Sequence, residues 1–183
     1  KGNYQKVALH NIESPFLLIE DKPAQVNIPS LEDLLGDKLT AFAPNTTGIP
    51  YFKKEVSMSM EIIKQLYDIG NIFDLVDDLE VIRKTFYRIA ETEIAYRNLK
   101  GAMPADVLED IYQTSLCISL RGKDGKGDFD SLQQGIHRVA GFIFSETYHL
   151  EKAIPHAAKA AYLSRLIASD KKTIEQFENP AQV

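Results

Sequence analysis

With 183 residues, 44% of them hydrophobic and 26% charged, the chain can bury a real core and has the make-up of an ordinary folded globular protein. Its net charge of −5, from 21 basic and 26 acidic residues, gives no overall attraction to nucleic acid, so any such contact requires a local basic patch. No apolar run approaches the roughly 18 residues of a membrane span, and lone Cys117 excludes an internal disulfide or a cysteine zinc site.

Residues 1–10 contain no apolar signal region, so the expected location is the cytoplasm. Because the chain does not begin with Met, it is expected to be a piece of a longer protein. Residues 5–9, 16–19 and 25–28 are brief apolar or β-branched runs separated by Ser-Pro and Lys-Pro, and read as strands joined by turns. Pro29-Ser30 followed by Glu32 and Asp33 signals a helix start, and Pro44 its end. Further helices are expected over 58–76, 78–100 and from Pro104 to about Leu120. A charged, Gly-rich loop follows over 121–128, then helices over 130–150 and 155–169 and a polar tail. The expected fold is α+β, mainly α, in a single domain. A short N-terminal β element over 1–29 leads into an α-helical bundle over 30–183.

On a helical wheel, Lys38 falls between Leu34 and Leu31, inside an apolar stripe completed by Leu35, Leu39 and Phe42. Asp33 and Asp37 fall on the opposite face and are expected in solvent. An ammonium on an apolar stripe is costly unless it reaches water or an anion. Lys38 therefore either snorkels out to solvent or points into a cleft and grips a phosphate. In the helix over 58–76 the buried stripe is Ile62, Leu66, Ile69 and Phe73, with Met58 and Val76 beside it. Lys64 and Asp68 lie off it, four residues apart, at the spacing of an exposed ion pair.

The run Pro29-Ser-Leu-Glu-Asp-Leu-Leu-Gly-Asp-Lys-Leu-Thr-Ala41 and the later Ile63-Lys-Gln-Leu-Tyr-Asp-Ile69 resemble the AbiEii/AbiGii toxin family of nucleotidyltransferases. In that family a strand leads into a helix with the pattern Leu-x-x-Lys-Leu-x-Ala, and a second helix carries Lys-Asp-x-x-Asp-Leu. Lys38 matches the lysine that contacts the nucleoside triphosphate, Lys64 the lysine of the second motif, and Asp68 its last aspartate. Gln65 stands where the family has an aspartate, and Ile69 replaces the leucine. The resemblance covers residues 5 to 80. It implies a phage-defence or toxin–antitoxin transferase that uses a nucleoside triphosphate and Mg²⁺, with tRNA ends as a suggested acceptor. The strands over 1–29 would complete its nucleotidyltransferase sheet. In the resemblance Lys38 and Lys64 bind the nucleotide, and Asp68 is the catalytic carboxylate.

The family places a Gly-Gly-Ser/Thr turn and a strand-borne Asp-x-Asp before the lysine helix, and residues 1–30 contain neither. The expected partner is therefore an N-terminal half that supplies them, and this chain alone is expected to be inactive and to hold no cofactor. Asp128-Phe-Asp130 follows the lysine helix; Asp130-Ser-Leu-Gln133 reads as a capping box, and Gly122-Lys-Asp-Gly-Lys-Gly127 lacks the Gly-Lys-Ser/Thr of a P-loop. His137, His149 and His156 lack the spacing of a helical zinc pair, and Glu146 with His149 forms one Glu-x-x-His where a di-iron bundle needs two. Cys117 reads as core, and Arg121, Lys123 and Lys126 as a solvated loop. Tyr4, His10, Tyr96 and Arg97 are further candidates for lining a cleft. The alternative to the enzyme is a non-catalytic helical module that binds another protein.

Overall fold

The computed structural model describes residues 4–14, 16, 18 and 22–175. Strands β1 (Val7–Asn11) and β2 (Gln25–Pro29) pair antiparallel, with Leu9 opposite Asn27. Helix α1 (Leu31–Ala41) follows, then a two-residue hairpin of β3 (Phe52–Lys53) and β4 (Val56–Ser57). The remaining helices are α2 (Ser59–Phe73), α3 (Leu79–Tyr96), α4 (Pro104–Ser119), α5 (Phe129–Val139) and α6 (Leu150–Ile167). The chain is thus α+β and mainly α, as its patterning indicates. Among the described residues no helix is long and apolar enough to cross a membrane.

Local chemistry sets the helix ends. Ser30 caps α1 by accepting the Asp33 amide at 3.2 Å, and Asp78 caps α3 by accepting that of Val81 at 3.2 Å. Helix α3 ends with Asn98 in the left-handed region, φ 53°, and Leu99 N–H reaching back to Ile94. Helix α4 ends in the same way with Arg121, φ 55°, and Gly122 N–H on Cys117. The β3–β4 hairpin was not expected from the sequence, because Lys53, Lys54 and Glu55 interrupt any alternating apolar pattern. Of the expected strand over 16–19, positions 17 and 19 lie outside the described residues. Phe16 and Leu18 belong to no strand and are exposed.

Helices α1 and α3 pack together, as do α4 and α6, while α2 lies against α1, α5 and α6. The core runs from Leu35, Leu39 and Phe42 through Ile62, Leu66 and Ile69 to Leu163. Ala153, Ala157 and Ala160 are fully buried on one face of α6, so its backbone approaches its neighbours closely. Gly135 of α5 serves α2 in the same way, since a Cβ there would lie 2.4 Å from the Ser59 carbonyl oxygen.

Three sequence expectations fail here. The helix expected over 130–150 stops at Val139, and the last one begins at Leu150, upstream of Pro155. Pro155 is tolerated because it and Glu151, whose carbonyl loses its helical donor, lie on the exposed side. Asp33 is fully buried, not solvated. Its carboxylate accepts the Gln5 and Lys6 amides at 2.8 and 2.7 Å, the Ser30 hydroxyl at 3.2 Å and the Thr85 hydroxyl. One buried anion thus ties the strand entrance to both α1 and α3, with its lone pairs satisfied.

Candidate functional site

Helix α1 carries Lys38 in its last turn, where the partial negative charge of the helix end favours a cation. Helix α2 passes beside it, with Asp68 facing across, and the Lys38 Nζ–Asp68 Oδ2 distance is 2.7 Å. The two side chains remain 29% and 40% exposed, so the pair sits at the mouth of a cleft and is not sealed in the core. The cleft has a volume of about 300 Å³. Its α1–α2 wall carries Lys38, Lys64, Gln65 and Asp68; Val139, Phe142 and Ile143 form the opposite wall.

Lys64 is not the partner of Asp68 that its spacing suggested. Its ammonium lies 3.7 Å from Glu61 and 5.2 Å from the centre of the Phe142 ring. The difference is tertiary: α1 delivers Lys38 to Asp68, and Lys64 turns back toward Glu61 on its own helix.

The opposite wall adjoins an aromatic cluster centred on Tyr148. Tyr148, nearly fully buried, meets Tyr67 edge-to-face at 5.1 Å, and its hydroxyl lies 3.3 Å from His156 Nδ1. The Tyr67 hydroxyl lies 3.2 Å from that of Ser145. The His156 ring rests on α2 at Gly70, where a Cβ would lie 2.1 Å from the ring Cγ. Burial pushes the Tyr148 hydroxyl well above its ordinary pKa. It pushes the His156 imidazole below 6.5, and nearby Lys159 adds to the effect.

Chemically the cleft offers two ammonium groups and one carboxylate, a net charge of +1 before Glu61 is counted, beside an aromatic ring. That set suits a small anion or a phosphate carrying an aromatic group. It does not fit Mg²⁺, which takes several oxygen donors, because Asp68 is engaged by Lys38. Among the described residues no three His, Cys, Asp or Glu come together as metal ligands would.

Asp128 and Asp130 have another role than a metal pair. Asp128 caps α5, accepting the Ser131 amide at 3.0 Å and hydroxyl at 2.6 Å; the capping-box reading of Asp130 was displaced by two residues. Tyr4 donates to Asp37 at 3.0 Å, and Arg97 pairs with Glu93 at 3.3 Å. Tyr96 is exposed, as is His10, and neither lines the cleft. Cys117 is buried core, and Arg121 pairs with Glu151 across an exposed surface.

The sequence reading missed Phe142, Ile143 and the Tyr67–Tyr148–His156 cluster. The helix expected over 130–150 spans the loop that forms this wall, and so conceals it. Gly141 inside that span is the signal that marks the break. Comparison of the chain with protein-family models, with curated proteins and with solved structures finds no match.

Proposed function

We propose that the Lys38 cleft is the phosphate-gripping part of a nucleotidyltransferase resembling the AbiEii/AbiGii toxins, acting in a toxin–antitoxin or phage-defence pair. The observation that supports this reading is the 2.7 Å meeting of Lys38 and Asp68, the lysine of one motif and the aspartate of the other, across two helices. Asp68 orients the Lys38 ammonium at the cleft mouth, and Lys64 supplies a second cation one turn away. A nucleoside triphosphate would place a phosphate between them. Its nucleotidyl group would pass to an acceptor hydroxyl, at a tRNA end in this reading, and pyrophosphate would leave. The Mg²⁺ carboxylates of such a reaction would come from an N-terminal half of the protein.

The test is Lys38→Met in the full-length protein. The pair it removes is partly exposed, so stability should move by less than about 1 kcal/mol. Nucleotide affinity should fall about ten- to a hundredfold, the worth of one charge-assisted contact, and growth arrest should disappear. A folded Lys38→Met protein that binds nucleotide like wild type would overturn the reading. This chain alone is not expected to transfer labelled nucleotide to tRNA.

A second reading, a non-catalytic module that binds another protein, is favoured by Phe142 and Phe144, 62% and 98% exposed beside the cleft. In that case Phe144→Ser, and not Lys38→Met, would abolish activity in cells.

A further inference from the structure

The β1–β2 ribbon stands apart from the core. All five β1 residues are exposed, including Val7 at 54% and Leu9 at 58%, and Val26 and Ile28 of β2 are exposed too. A lone two-stranded ribbon is marginal in water; three or more strands with an apolar face are stable.

The ladder's phase shows which edge is open. Ser30 N–H donates to Lys6 C=O at 2.9 Å, and Ile12 N–H to Ala24 C=O at 2.8 Å. In the observed register Lys6, Ala8, His10 and Ile12 therefore form the hydrogen-bonded pairs. Val7, Leu9 and Asn11 turn their N–H and C=O groups outward, away from β2. On β2 the outward positions are Gln25, Asn27 and Pro29, and Pro29 has no N–H to offer. One edge of the ribbon is blunted, while the other carries three donors and three acceptors. Among the described residues no strand pairs with it.

We propose that the outer edge of β1 is a strand-addition surface whose partner is β1 of a second copy of this chain. The edge is complementary to itself about Leu9. In an antiparallel pairing centred there, Leu9 meets Leu9 of the other copy and Val7 meets Asn11. Val7 and Leu9 share one face, so the seam brings the apolar pair of one copy beside that of the other along the two central strands, with Asn27 and Gln25 flanking them on β2. The segment Val7–Asn11 carries no Asp, Glu, Lys or Arg, the residues that usually guard an edge. At each end of the seam Lys6, whose ammonium pairs with Asp78 of its own chain at 3.1 Å, comes opposite Ile12 of the other copy, so no like charges are set directly opposite each other. In the nucleotidyltransferase reading the N-terminal half would extend the same two-stranded sheet, so a second copy and that half are competing occupants of this edge.

The test is sedimentation of the chain over a concentration series reaching the millimolar range, with two substitutions. Wild type should dimerise. Leu9→Lys, which sets two ammonium groups against each other at the seam, should weaken association at least tenfold and leave the helical circular-dichroism signal unchanged. Leu9→Cys should give a disulfide-linked dimer under mild oxidation, because opposite residues lie within disulfide reach, about 5.5 Å between Cα atoms. Val7→Cys should not, because its counterpart lies four residues along the seam, about 13 Å away. A wild-type chain that stays monomeric throughout overturns the proposal. So does dimerisation that Leu9→Lys leaves intact, or cross-linking equal at positions 7 and 9.

Discussion

The His156 ring lies flat on the backbone of α2 at Gly70, at a distance no side chain could share. In an exposed helix interior, alanine stabilises over glycine by about 1 kcal/mol. Here Gly70→Ala should instead lose about 1–3 kcal/mol, because its Cβ forces the ring off α2 and disturbs Tyr148 and the cleft wall. The urea midpoint of unfolding measures it. The same ring predicts a pH dependence. Burial, with Lys159 nearby, holds the imidazole neutral below its ordinary 6.5, and Glu146 and Asp74 offset only part of that. The unfolded chain then binds a proton that the folded chain does not. Stability should be level above about pH 6.5 and fall as pH drops below it, before the carboxylate range is reached. His156→Gln should flatten that slope; a slope that persists unchanged would place its origin elsewhere.

At the scale of the element, α5 is capped at its start by the single residue Asp128. Hydrogen bonds from the Ser131 hydroxyl and amide hold the Asp128 carboxyl below its ordinary value of 3.8. Asp128→Ala should lower stability by about 1 kcal/mol, and thermal unfolding would show it as a drop of a few degrees. Asp130→Ala, at an exposed position one residue inside the helix, should stay within about 0.5 kcal/mol. Equal effects would restore Asp130 as the cap. At the end of α4, Arg121 holds a left-handed conformation that glycine adopts freely. Arg121→Gly should therefore be neutral or raise stability by up to about 1 kcal/mol, despite losing the exposed contact with Glu151.

Across the whole molecule, two charged side chains join distant parts of the chain. Arg83 of α3 donates to the carbonyls of Leu166, Ile167, Ser169 and Lys171, closing the end of α6 against the first half of the bundle. Asp33 does the same for the strands, through the amides of Gln5 and Lys6 and the hydroxyl of Thr85. Asp33→Ala leaves those donors without an acceptor and should cost about 2–4 kcal/mol. The ribbon should detach first: amide exchange in β1 and β2 should reach the unprotected rate while α2 stays protected. Uniform loss of protection would mean that the ribbon and bundle unfold as one unit.

Local chemistry, by itself, was enough to identify helices α1 to α4, the Ser30 and Pro104 starts, the buried stripe of α2 and the mainly α fold, because capping and 3.6-residue periodicity act within a few neighbours. It also marked Lys38, since an ammonium among leucines stands out in any helix. The partner of Lys38 was beyond it. Spacing along α2 proposed Lys64 for Asp68, and only the packing of α1 against α2 replaced it. Asp33 was misassigned for the same reason: a helical wheel knows the α1 axis, but not that α3 and the Lys6 backbone close over its outer face. Likewise the loop between α5 and α6 took shape only through Tyr148, Tyr67 and His156, three residues brought together from two helices and a turn. Most contacts within one turn were legible in the sequence, the Asp128 cap and the β3–β4 turn excepted; the cleft, built from α1, α2 and that loop, existed only once the chain had folded.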